Sequence, residues 1–302
     1  MTESYFARLA RPEAGRIADA VLDTDTYNEI DDQFALCYAL RSADKINLKA
    51  VTAAPFLNER SDSPGDGMEK SYEEINRLLS IGKFDYGGKV LRGSKNFLPD
   101  EKTALSSDAA SYIAELASKY SPESPLYVMA IGAITNVASA ILLDPGIIDR
   151  IVVIWLGGHS YQWPDTKEFN LWSDVAAARA VFASGAAIMQ LPCMGVVSGF
   201  SISRPEIEKW LIGKNKLCDY LAEITIEHQG NPESEVWTKV IWDVTAPAWL
   251  TGNHFIRDYL APCPMPEYSG HYSFSNERRP IKCAYWVNRD ALMRDLLTKL
   301  QV

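Results

Sequence analysis

Five carboxylates fall within ten residues near the start of the chain, in Asp23-Thr-Asp25-Thr-Tyr-Asn-Glu29-Ile-Asp31-Asp32, with no Lys or Arg among them. Like charges so close repel one another, and any loss of solvent adds to the cost. A divalent cation would offset it. Donors that are all oxygen suit Ca2+ or Mg2+ rather than zinc. A plainer account makes Asp31 and Asp32 the acidic first turn of a helix. That uses two acids and leaves Asp23 and Asp25 unexplained.

Three further constellations lie far along the chain. Thr135-Asn136 follows an apolar run in Ala-Ile-Gly-Ala-Ile-Thr135-Asn136, so the Thr135 carbonyl could face the same acids, or the turn could simply cap a helix. Gly157-Gly158-His159-Ser-Tyr-Gln162 leads into Glu168-Phe169-Asn170, an acid and an amide able to bind sugar hydroxyls, or else polar residues of a surface loop. Asp243 sits in Val240-Ile-Trp242-Asp243-Val, where an acid among apolar neighbours needs a partner or a metal. Trp242 by itself reads as core.

The elements that must position these residues alternate. Ala20–Leu22, Leu48–Ala53, Lys89–Leu91, Leu126–Ile131, Ile151–Leu156 and Ala186–Leu191 read as strands. Helical spacing falls between them, over Asp32–Arg41, Met68–Ser80, Asp108–Lys119, Asn136–Leu143 and Asp174–Ala183. The pattern predicts an α/β fold with a mainly parallel central sheet flanked by helices, an open Rossmann-like core. In such sheets ligands bind beyond the carboxyl ends of the strands, where the acids and the Gly157-Gly158 pair fall. Beyond residue 200 the chain reads as more helical, with helices over Pro205–Ile212, Leu217–Gln229 and Asp290–Leu300 around a Trp- and Pro-rich section. No composition break divides residues 1–302, which we read as a single domain with a lid near 227–240.

Composition narrows the function classes. The chain has 302 residues, 47% hydrophobic and 23% charged, which is globular rather than disordered or fibrous. A net charge of −9 and the lack of a basic stretch argue against nucleic acid as partner. The longest apolar run, Tyr127–Leu143, is broken by Thr135, Asn136 and Ser139, which argues against a membrane span. The charged Met1–Ala20 stretch has no signal-peptide core, and five scattered cysteines form no Cys-x-x-Cys. These features point to a cytoplasmic protein with reduced thiols.

In chain order, the segments Asp23-Thr24-Asp25 through Asp31-Asp32, Val51-Thr52 leading to Asn58, Ile134-Thr135-Asn136-Val137-Ala138, Gly157-Gly158, Glu168-Phe169-Asn170 and Trp242-Asp243 resemble the inosine/uridine-preferring nucleoside hydrolase family. The resemblance spans nearly the whole chain. It implies a parallel-sheet hydrolytic domain, an essential bound calcium, cleavage of the N-glycosidic bond of ribonucleosides, and a homodimer or homotetramer. By position it makes Asp25, Asp32, Asp243 and the backbone oxygen of Thr135 the calcium ligands and Asp25 the general base. Asp31, Asn58, Glu168 and Asn170 would hold the ribose hydroxyls, and Gln162 stands where an asparagine usually contacts the sugar's 5′ end. The roles agree with physical expectation, since departure of a base leaves an oxocarbenium-like sugar that a net negative site favours.

Two departures are informative. The family's commonest opening is DTDPGxDD, whereas here the spacer before Asp31 is two residues longer, so the loop must bulge and Tyr27 and Asn28 can reach the pocket. Many members carry a histidine that protonates the leaving base where this chain has Trp242, which can only stack; members with an aromatic there lean to purines. Of the remaining histidines, His159, His228, His254 and His271, the best-placed acid is His228, at the end of a helical segment before the lid, with an ordinary surface histidine as the alternative. The rival enzyme is a haloacid-dehalogenase-like phosphatase with Asp23 as nucleophile and Mg2+, which gives Glu168-Phe169-Asn170 and Trp242-Asp243 no role. A non-catalytic nucleoside or sugar-binding protein is the other alternative.

Overall fold

Apolar runs that do not alternate with polar residues, such as Ile151–Leu156, need cover on both faces, and the fold supplies it. The computed structural model describes residues 3–13, 15–230 and 236–302. Its strands are β1 (Ala18–Thr24), β2 (Ile46–Ala53), β3 (Lys89–Arg92), β4 (Leu126–Ala130), β5 (Ile151–Leu156), β6 (Ala187–Leu191), β7 (Ser201–Ser203), β8 (Thr238–Val240), β9 (Ile256–Ala261), β10 (Pro264–Pro266), β11 (Tyr272–Phe274) and β12 (Ile281–Val287). The helices are α1 (Glu3–Arg8), α2 (Asp31–Leu40), α3 (Pro64–Ile81), α4 (Asp108–Ala117), α5 (Thr135–Leu143), α6 (Phe169–Ser173), α7 (Val175–Ser184), α8 (Arg204–Trp210), α9 (Lys216–His228), α10 (Thr245–Thr251) and α11 (Arg289–Leu300).

Eight strands form one sheet in the order β3-β2-β1-β4-β5-β6-β12-β9, parallel except for the edge pair β12/β9. Successive residues of each strand feed opposite cores. Leu22, Met129, Ile154 and Met189 pack with α2, α3, α9, α10 and α11, whereas Val21, Val128, Val153 and Ile188 pack with α4, α5 and α7. Side chains seed several helices: Ser63 accepts from the Asp66 N–H at 3.1 Å before α3, and Ser107 accepts from the Ala110 N–H at 3.1 Å before α4.

The chain proceeds outward from β1 to β3 and then returns to lay β4 beside β1 on the other side. A crevice therefore opens at the carboxyl ends of β1 and β4. The predicted strands and helices fall on the observed ones to within a few residues. The Trp- and Pro-rich section that sequence left undivided contributes α10, β9 and the hairpin β10–β11. Within the lid segment, α9 runs to His228 and β8 begins at Thr238, while 231–235 lie outside the described residues.

Candidate active site

β1 ends at Thr24, directly before Asp25, and α2 begins with Asp31 and Asp32 in its first turn, where the helix dipole favours acids. Asp243 comes from the other end of the sequence, in the turn leading into α10. Carboxylate oxygens of Asp31, Asp32 and Asp243 lie within 4.8 Å of one another, and all three residues are buried. Burial, then the charge of Glu29, pushes Asp31 up to about 6. Burial, then the charge of Asp31, pushes Asp32 up to about 7, against a 2.5 Å hydrogen bond from Thr24 Oγ1. Burial, then the charges of Asp31, Asp32 and Asp25, hold Asp243 well above the carboxylate range.

Asp25 lies near enough to this group to feel the charges of Asp32 and Asp31. It is 1% exposed, and both its carboxylate oxygens are buried without a hydrogen-bond partner. Burial, then the charge of Asp32, raises its proton affinity strongly. Gly132 lets it fit, since a Cβ there would lie 2.8 Å from Asp25 Oδ1. The three grouped carboxylates are oxygen donors of the kind that could hold a hard divalent cation, and Asp25 beside Asp32 carries two further unpartnered oxygens. Lys239 is the near cation, paired with Glu29 and close to Asp31 and Asp243.

The acids open onto a cleft of about 260 Å³ whose walls include Asn28, His159, Glu168, Asn170, Cys193 and Trp242. Glu168 is fixed before any ligand arrives: its oxygens accept N–H groups of Gly158 (2.8 Å), Asn170 (2.9 Å) and Leu171 (3.0 Å). Those bonds oppose the burial that raises its proton affinity. Asn170 donates through Nδ2 to the carbonyls of Ile131 and Leu156, both at 3.1 Å, which leaves its Oδ1 for a hydroxyl. The two residues therefore present acceptors at defined positions.

Other residues singled out in the sequence lie elsewhere. Asn58 stands behind the wall and donates to Asn28 Oδ1 at 2.7 Å. The longer spacer thus places Asn28, not Asn58, on the cleft surface, and Tyr27 turns outward beneath Arg60, whose guanidinium carbon is 4.2 Å from the ring centroid. Thr135 opens α5 with its hydroxyl on Asp174 at 2.6 Å, and Gln162 is exposed in a turn; neither lines the cleft. His228 is exposed and borders a separate hollow with Tyr27, Arg60 and Tyr220. The Asn28, His159 and Cys193 positions had no distinguishing motif beyond the longer spacer and the Gly157-Gly158 pair.

Asp23 does not reach the cleft. It is fully buried, and Oδ1 accepts from Thr52 Oγ1 at 2.6 Å and Asn136 Nδ2 at 2.8 Å, which ties β1 to β2 and α5. A carboxylate so enclosed is no nucleophile for a phosphate ester. A larger hollow of about 620 Å³ lies around Arg11 and Trp249, where the guanidinium is already engaged by Asp258 at 2.8 Å and by backbone carbonyls.

Fold and site together define an α/β protein with an acidic, cation-ready cleft at the switch point of a parallel sheet. Residues 65–292 match the family described as inosine-uridine preferring nucleoside hydrolase, and the chain belongs to that family. The match begins beyond the acidic motif with its longer spacer. Among curated relatives, the probable uridine nucleosidase 2 of Arabidopsis thaliana is 27% identical over 68% of this chain and 67% of its own. The pyrimidine-specific ribonucleoside hydrolase RihA of Salmonella enteritidis PT4 is 27% identical over 73% of this chain and 76% of its own. The solved purine-preferring ribonucleoside hydrolase from Gardnerella vaginalis shares the fold at a TM-score of 0.75 and 17% identity, covering 94% of this chain and 98% of that one.

Proposed function

We propose that the protein hydrolyses the N-glycosidic bond of ribonucleosides, purine ribonucleosides in particular, to free base and ribose. One observation supports the reading: in a chain of this family, Asp31 and Asp32 converge with Asp243 from the far end of the sequence, in a cleft shared with two preset hydroxyl acceptors, and the unpartnered Asp25 feels the charge of Asp32. Calcium is the cation that best suits the donor set, held by Asp25, Asp32, Asp243 and the Thr135 backbone oxygen, with Asp31 beside them. Bound there, it would acidify water and draw the ribose hydroxyls.

The protein's own groups then do the following. Asp31, Glu168 and Asn170, with Asn58 supporting Asn28, fix the sugar and so orient its anomeric carbon. Asp25, whose proton affinity burial raises, accepts the proton of the attacking water. The C–N electron pair leaves on the base as the water oxygen bonds the anomeric carbon. Three ligand carboxylates and a divalent ion sum to about −1, which favours the cationic sugar of the transition state over the neutral substrate. Trp242 on the cleft wall offers an indole face whose area suits a purine.

The proposal extends to a homodimer or homotetramer in the cytoplasm serving nucleoside salvage. All five cysteines are buried and unpaired, in keeping with a reducing compartment. Among the described residues no helix is long and apolar enough to cross a membrane. The test is incubation with inosine, guanosine, adenosine, uridine and cytidine, with and without a chelator, measuring free base and ribose. We expect release that is fastest from purine nucleosides, stops with chelator and is absent in Asp25→Asn. Full activity of that variant would refute the base assignment, and no release from any nucleoside would refute the function.

A further inference from the structure

When the C–N bond breaks, the departing base takes the electron pair, and a hydrogen-bond donor at its edge lowers that cost. The Trp242 position supplies a face rather than an acid, and His228 lies outside the cleft. His159 lies inside it. Gly158, at φ +74°, turns the chain directly after β5 so that residue 159 enters the cleft. His159 is 9% exposed, and its ring packs edge-on against Trp163 at 5.9 Å between centroids and accepts the Met194 N–H at Nδ1 at 3.3 Å.

That last bond fixes the tautomer. A nitrogen that accepts carries no proton, so the proton of the neutral ring sits on Nε2, which has no protein partner among the described residues. Burial lowers the proton affinity of the ring against the opposing charge of Asp165, which keeps the imidazole neutral at physiological pH.

Resting on the hydrolase reading above, we propose that His159 is the leaving-base contact of this enzyme, donating from Nε2 to the acceptor next to the glycosidic nitrogen, a purine ring nitrogen or a pyrimidine carbonyl. No proton is transferred from it. The base leaves as an anion held by that hydrogen bond and then takes a proton from solvent, while Asp25 returns the proton of the attacking water to solvent.

The test compares a nucleoside with p-nitrophenyl riboside, whose leaving group departs without help. His159→Phe should lower kcat on inosine by about 100-fold, the scale for losing one transition-state donor, and change kcat on the nitrophenyl riboside less than about 3-fold. His159→Gln, which keeps an N–H donor, should recover roughly 10-fold of the loss, about 1.4 kcal/mol. Equal losses on both substrates, unchanged inosine turnover, or a Gln variant no better than Phe would overturn the assignment. Wild-type enzyme that cleaves the nitrophenyl riboside but no nucleoside would overturn it too, while sparing ribosyl hydrolysis. Wild-type enzyme that cleaves neither would overturn the hydrolase reading itself.

Discussion

Without its cation, the protein should lose thermal stability as pH rises across the neutral range. Asp31 is held at about 6 and Asp32 at about 7, whereas an unfolded aspartate titrates near ~3.9. Between those limits the folded state keeps protons that the unfolded state has released. The resulting stability is full below the unfolded value and is lost as pH climbs through the folded values. From pH 5 to pH 8 both protons must leave the folded protein, and at ~1.36 kcal/mol per decade the combined cost is about 4 kcal/mol. A chain of this size shifts by roughly 2–4 °C per kcal/mol, so Tm should fall by roughly 10 °C. Calcium in excess should flatten the profile, because it takes the place of the protons and itself adds about 2.7 kcal/mol at 100 times its Kd. Differential scanning calorimetry from pH 5 to 8, in chelator and in calcium, reads both effects. A chelated protein whose Tm is level or rising over that range, or a Tm indifferent to calcium, would refute the reasoning.

Three substitutions separate the remaining roles. Asp23→Ala removes the acceptor of two buried hydrogen bonds, from Thr52 and Asn136, and should cost about 1–3 kcal/mol by urea denaturation, with kcat/KM of the folded enzyme nearly unchanged. A loss of all turnover there would revive Asp23 as a reacting group. Gly132→Ala places a methyl group against Asp25 and should cut kcat at least about 10-fold with an unaltered circular dichroism spectrum, since misplacing a reacting group is costly. Trp242→Ala should raise KM for inosine about 10-fold, in line with ~1–3 kcal/mol for stacking a base on an aromatic ring, and raise it less for uridine. Equal effects on the two substrates would remove the purine argument.

The middle of the sheet was legible because β4 and β5 are unbroken apolar runs, and such runs have few alternatives to burial between helix layers. Ile151–Leu156 is an instance, and its predicted limits are those observed. β9 and β12 were not legible. Their sequences mix Arg257, Asp258, Tyr259 and Lys282 with apolar residues, because one strand is an edge and the other its neighbour. The acids at the end of β1 were legible as a charge problem in need of a cation. The grouping of Asp31 with Asp32 and Asp243 was not, because it depends on how a spacer two residues longer closes over the crevice. The same closure hides Asn58 behind Asn28 and turns Tyr27 outward, contrary to expectation. His228 looked well placed because it ends a helical segment before the lid, a position that says nothing about which side of the 26–30 loop that helix end occupies.

The most direct test of the central claim is a crystal structure grown with calcium and a slowly hydrolysed nucleoside analogue. The account predicts one ion with oxygens of Asp25, Asp32 and Asp243 at ~2.3–2.6 Å, and the ribose hydroxyls facing Glu168 and Asn170. An ion bound elsewhere, or a nucleoside seated away from these acids, would contradict it.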